Sequence, residues 1–142
     1  MPDRIVLLKV GEHLLCLPFV HVDEILGVDR AVNRTSLPEG VSPEADLHVL
    51  WVSSRGRWLP VRELLPGFGK EGGSQILVIG CDGSNWAVLV NQVLGIENTG
   101  ALTHFPEVAR PYTDIPFSGV RFLKEQPVLE LDLSRLISLD MV

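Results

Sequence analysis

The feature that most constrains this chain is that it runs through nearly the same plan twice, as short β-branched runs joined by tight turns on either side of a glycine-rich break. Arg4-Ile5-Val6-Leu7-Leu8-Lys9-Val10, the turn Gly11-Glu12 and His13-Leu14-Leu15-Cys16-Leu17 make one hairpin. After the break Pro66-Gly67-Phe68-Gly69-Lys70-Glu71-Gly72-Gly73-Ser74 the pattern restarts with Gln75 to Cys81, a turn at Asp82-Gly83-Ser84-Asn85, and Trp86 to Val90. Ile25-Leu26-Gly27-Val28-Asp29 is echoed by Val93-Leu94-Gly95-Ile96-Glu97, and Pro60-Val61 by Pro127-Val128, at nearly the same offset. So long a period does not suit a solenoid. It suits a duplicated small barrel, because closure disposes of the strand edges that short sheets leave exposed. The expectation is an all-β chain forming one domain over residues 1–142, with a first lobe at about 12–70, a second at about 74–140, and an N-terminal strand available to either.

The connecting segments are punctuated more variously. Pro18 ends the second run, since proline cannot donate inside a ladder. Phe19, Val22, Ile25 and Leu26 recur at intervals of three and four, which predicts one or two helical turns closed by Gly27. Pro38, Gly40 and Pro43 predict a loop from Ser36 to Asp46, and Pro106, Pro111 and Pro116 an irregular connection from Thr99 to Pro116. Leu47 to Val52 reads as a strand covered on both faces. Phe117 to Leu123 and Pro127 to Leu131 read as a last hairpin, after which Asp132 can cap a helical turn with Leu133, Leu136 and Ile137 facing inward.

Recognition chemistry concentrates at one bend, Val52-Ser53-Ser54-Arg55-Gly56-Arg57-Trp58-Leu59-Pro60-Val61. Gly56 supplies the positive φ of a tight turn, while Trp51, Leu59 and Val61 suit a half-buried pleated surface. In a regular strand Arg55 and Arg57 would share a face. Taken alone this is a solvated turn over a core tryptophan. The matching bend of the second half is Lys124-Glu125-Gln126, so the barrel plan does not require an arginine, and Arg55 becomes an interface candidate.

Other function classes lose ground on the same letters. A net charge of −6, with basic residues scattered apart from Arg55, Arg57 and Arg62, gives no attraction to nucleic acid. Cys16 and Cys81 lack redox or metal spacing and read as free thiols of a reducing compartment. The start Met1-Pro2-Asp3-Arg4 has no signal-peptide pattern and no apolar run is long enough to insert in a bilayer, so a cytoplasmic protein is expected. Gly67-Phe68-Gly69-Lys70-Glu71-Gly72 spells a dinucleotide fingerprint but leads into a strand, so no helix N-terminus receives a pyrophosphate. Ser53 and Ser54 lie in no nucleophile elbow, and neither His48 nor the pair His13 and Cys16 has an arrangement that makes a base or a zinc site. Asp23-Glu24, Glu44 with Asp46, and Glu130 with Asp132 read as exposed residues or caps. Glu24 stands out inside an apolar stretch, where a solvated edge competes with a partner arginine or a partner protein. No enzyme activity, cofactor or metal is expected. A small-ligand or nucleotide-binding barrel using Lys70 is the competing class.

The ordered set of hairpin, Val22-x-Glu24-Ile25, Leu37-Pro38, Arg55-Gly56, Pro60-Val61, second hairpin, Val90-Asn91-Gln92-Val93, Ser118-Gly119 and terminal Leu136-Ile137 resembles the chemotaxis coupling proteins of the CheW family over nearly the whole chain. The resemblance implies two small SH3-like β-barrels packed into one domain, acting as a non-catalytic adaptor between chemoreceptor tips and the regulatory domain of a histidine kinase. It implies partner-binding roles for Val22, Glu24 and Ile25, for Arg55 and Gly56 at the end of the family's N-L-R-G motif, for Val93 at the end of V-D-G-V, and for Val108 in a further kinase contact. The chain departs from the family pattern at Ser53-Ser54, Asn91-Gln92 and Arg62-Glu63, and carries about seven extra residues between Pro38 and Leu47. A divergent scaffold of a motility or other sensory pathway is the alternative those departures raise.

Overall fold

The computed structural model describes residues 3–38, 49–63, 75–81, 83–104 and 117–134. Twelve strands run through them: β1 (Asp3–Val10), β2 (His13–Pro18), β3 (Val22–Gly27), β4 (Val32–Asn33), β5 (Leu50–Ser54), β6 (Arg57–Glu63), β7 (Gln75–Cys81), β8 (Ser84–Val90), β9 (Gln92–Thr99), β10 (Thr103–His104), β11 (Phe117–Leu123) and β12 (Gln126–Leu131). Single 3-10 turns at Phe19–His21, Val28–Arg30 and Arg34–Ser36 complete the regular structure up to β12.

Four hairpins with two-residue turns set the registers, pairing Val10 with His13, Ser54 with Arg57, Cys81 with Ser84, and Leu123 with Gln126. The turns need positive φ to match strand twist, and Gly11 (φ 62), Gly56 (φ 78) and Gly83 (φ 80) provide it without a Cβ penalty. The β11–β12 turn instead forces Lys124 (φ 49) and Glu125 (φ 69) into the left-handed region. Since each such residue costs about 1–2 kcal/mol, replacing the pair with Asn-Gly is expected to stabilise the protein by about 1 kcal/mol. Thermal unfolding checks this, and an unchanged or lower Tm would contradict it.

The strands form two six-stranded sheets, in the orders β10-β11-β12-β2-β1-β9 and β3-β7-β8-β6-β5-β4. Shifting each label by six converts one order into the reverse of the other, so the duplication is a duplication of topology. Each sheet also draws on both halves of the sequence. The hairpin β1–β2 sits in the sheet of the later strands and β7–β8 in the sheet of the earlier ones, joined by the parallel pairs β2–β12 and β6–β8. The sequence echoes mark the halves but not the structural register: Gly27 closes β3, whereas Gly95 lies inside β9 (φ 147) at a bulge where Leu7 and Leu8 face Gly95 and Val93. Likewise Pro60 faces Trp51 four residues beyond its turn, while Pro127 faces Phe122 two beyond its own.

Three apolar clusters follow from this exchange. Val6, Leu8, Leu15 and Leu17 pack against Leu77, Ile79, Val88 and Val90 across the two sheets. The opposite faces of the same hairpins contribute Ile5, Leu7 and Cys16 to one sheet's interior, and Ile76, Val78 and Ala87 to the other's. Because β1 and β7 are covered on both sides, they carry continuous apolar runs instead of alternation.

Two expectations are corrected. Val22 to Leu26 is strand, not helix, since the edge of β7 offers backbone partners from Val22↔Ile79 to Gly27↔Gln75. A bulge between Val22 and Glu24 resets the alternation, which produces the three-residue spacing that mimics a helical stripe. Arg55 and Arg57 do not share a regular strand, because Arg55 lies in the turn at φ 50. Trp51 and Val52 of β5 are buried, as expected of a strand covered on both faces. The break at 66–74, most of the 36–46 loop, the 105–116 connection, His48 and the terminal residues Leu136 and Ile137 lie outside the described residues.

Candidate functional site

The curl of the second sheet brings its edge strand β3 to the β5–β6 turn, although the two are not neighbours in the ladder. The contact is made by side chains the two strands turn inward. Ser54 lies two residues beyond Val52 on the buried face of β5, is 6% exposed, and its Oγ donates to Glu24 Oε1 at 2.7 Å. Glu24 shares the face of Leu26 beyond the bulge, so it is half-buried with an internal partner and is not a solvated edge residue. The partner that meets it here is an internal hydroxyl and not an arginine. A serine at this position therefore has a local structural role where the family pattern carries another residue.

Outside this bridge the site opens to solvent. Arg55 is exposed, and its Nη2 donates to the Asp23 carbonyl at 3.4 Å, a contact long enough to leave the guanidinium available to a partner. Gly56 has no atom within 4 Å of where a Cβ would stand, so its requirement is the turn's φ and not crowding. Val22 and Val93 are half-buried against the cluster between the sheets, and Ile25 is 43% exposed. Val93 N–H also donates to Gln75 Oε1 at 2.6 Å, which ties β9 to the start of β7. The structure thus brings Glu24 and Arg55 together around Ser54, and sets Val22 and Val93 on the rim of the inter-sheet core. Val108 lies outside the described residues.

Several residues were not legible as site or network residues. Leu94 and Ile96 of the edge strand β9 are exposed apolar side chains beside Val93. Arg121 and Glu130 are 6% and 5% exposed, so Glu130 is neither a surface carboxylate nor a cap. Arg121 Nε donates to Glu130 Oε1 at 2.7 Å, and Nη1 to Asp3 Oδ2 at 2.7 Å and to the Gly100 carbonyl at 2.8 Å. Burial alone would lower the pKa of Arg121, but its bonds to Asp3 and Glu130 outweigh that and raise it. Burial, with Glu130 adding to it, pushes the nearby Cys16 thiol up to about 12, which marks a core side chain and not a nucleophile. The usable signal was strand alternation, which places Gly119 and Arg121 on one face of β11, opposite Glu130 and Val128 across the ladder, while Phe117 lies beyond a bulge and packs with Leu131 in the cluster between the sheets.

Among the described residues no group of three His, Cys, Asp or Glu side chains could hold a metal, and no helix is long and apolar enough to cross a membrane. Comparison with curated proteins gave no match. Among solved structures, the chain is similar to the scaffolding protein TtCheW from Thermoanaerobacter tengcongensis, with a TM-score of 0.69 at 22% identity over 92% of this chain and 89% of that one. This is a likeness of fold. The family model described as CheW-like domain matches residues 4–141, nearly the full length over which the duplicated strands run. The chain belongs to the CheW-like domain family.

Proposed function

We propose that this protein is a non-catalytic, cytoplasmic adaptor that couples chemoreceptor tips to a histidine kinase, receiving the receptor's helical hairpin in the groove between its lobes and the kinase regulatory domain on a barrel edge. The observation that carries the reading is the meeting of the Val22-Asp23-Glu24-Ile25 segment with the Ser54-Arg55-Gly56 turn, with Val22 and Val93 half-buried against the cluster between the sheets. Apolar side chains on such a rim suit the apolar stripe of a helix, and an exposed arginine suits fixing its register. The departure from N-L-R-G at Ser53-Ser54 supports no loss of the site, since Ser54 serves the internal bridge to Glu24.

Arg55→Glu tests this. The exposed side chain makes one weak contact, so the variant is expected to unfold at the wild-type temperature while its binding to receptor–kinase arrays weakens by at least ~1 kcal/mol. Undiminished co-sedimentation of the folded variant would remove Arg55 from the interface.

A further inference from the structure

A second polar surface lies where β6 and β8 run parallel; its lining residues are distinct from Glu24, Ser54 and Arg55, although Asn85 lies beside Asp23 over Gly80. Here Arg57, Arg62, Ser84, Asn85 and Trp86 line a cleft of about 330 Å³, floored in part by Pro60 and the Gly83 turn. Its polar chemistry is donor-rich. The Arg62 guanidinium lies 4.7 Å over the Trp86 ring, Arg57 is exposed at the start of β6, and the Ser84 hydroxyl and Asn85 amide add two more donors. No carboxylate among the described residues lines the cleft. The indole Nε1–H of Trp86 is buried and meets no acceptor among the described residues. On a chain of net charge −6, the described lining of this cleft carries two guanidinium groups and no carboxylate.

We propose that this cleft receives carboxylate side chains of an acidic segment on a protein partner. Guanidinium groups match carboxylates in planar, two-pronged geometry, and Arg62 is already held in place by its packing on Trp86. The overall negative charge repels an acidic segment elsewhere on the surface, so the cleft fixes where such a segment sits. A single carboxylate cannot fill the volume, which suits a short run of acidic residues.

The test is NMR of the full chain, following the Trp86 indole resonance, assigned by its loss in Trp86→Phe. At low salt, hexaglutamate is expected to shift that resonance saturably, hexaglutamine is expected to leave it unmoved, and Arg57→Glu is expected to weaken the hexaglutamate effect at least about tenfold. Arg55→Glu is expected to retain it, which separates this cleft from the receptor-tip reading. A wild-type backbone spectrum for the Arg57→Glu and Arg57→Gln variants certifies that loss of the shift is loss of binding. Three outcomes would overturn the proposal: no saturable shift with hexaglutamate, an equal shift with hexaglutamine, or undiminished binding by both folded Arg57 variants. A response to inorganic phosphate without one to hexaglutamate would also overturn it, in favour of a small-anion site.

Discussion

Arg121→Met is expected to lower the stability of this protein by about 3–5 kcal/mol, the range for breaking a buried ion pair from one side. The cost does not come from the lost attraction as such. It comes from Glu130, which is 5% exposed and would keep its charge in the interior without the guanidinium that now meets it at 2.7 Å. Asp3 contributes less, because its side chain is 54% exposed and water can replace the partner. Urea unfolding at unchanged m reads the loss as a lower midpoint. The double variant Arg121→Met, Glu130→Leu is expected to recover most of it, since an apolar pair needs no compensation for lost hydration. The other sheet already shows such a solution. Counted from the hairpin turns, the positions of Arg121 and Glu130 correspond to Val52 and Val61, both buried in an apolar cluster. A single variant that unfolds at the wild-type urea concentration would show that the pair contributes nothing to stability.

Leu77→Ala is expected to cost about 2–5 kcal/mol, because it empties a fully buried position in a cluster built from both sheets. Its neighbours Val6, Leu8, Leu15 and Leu17 come from β1 and β2, so the cavity opens between the lobes and not inside either. Val22 and Val93 pack on the same cluster. The variant should therefore weaken receptor-tip binding as well as stability, if the groove is the binding surface. Ile76→Ala offers the contrast: equally buried one residue away, it faces the interior of its own sheet, so it should lower stability without the added loss of binding. Equal losses of binding in the two variants, at matched stability, would argue against the inter-sheet rim as the groove.

The sequence by itself determined the strands whose signals are local. Three of the four hairpins were readable because glycine marks their turns, the fourth because a short polar break at Lys124-Glu125 separates two apolar runs, and the all-β duplication because its apolar runs are short and evenly punctuated. The ordered motifs were enough to indicate the family that the full-length match shows. Features that depend on partners distant in the chain were decided by tertiary structure alone. Strand β3 looked helical because a bulge has the spacing of a helix, and only the vacant edge of β7 selects between the two. The exchange of hairpins between the sheets leaves no trace in periodicity, since a strand's pattern records that it is covered but not by what. Glu24 with Ser54, and Arg121 with Glu130 and Asp3, were unreadable for the same reason. A buried charge is tolerable only beside its counterpart, and that counterpart is brought to it by the curl of the sheet.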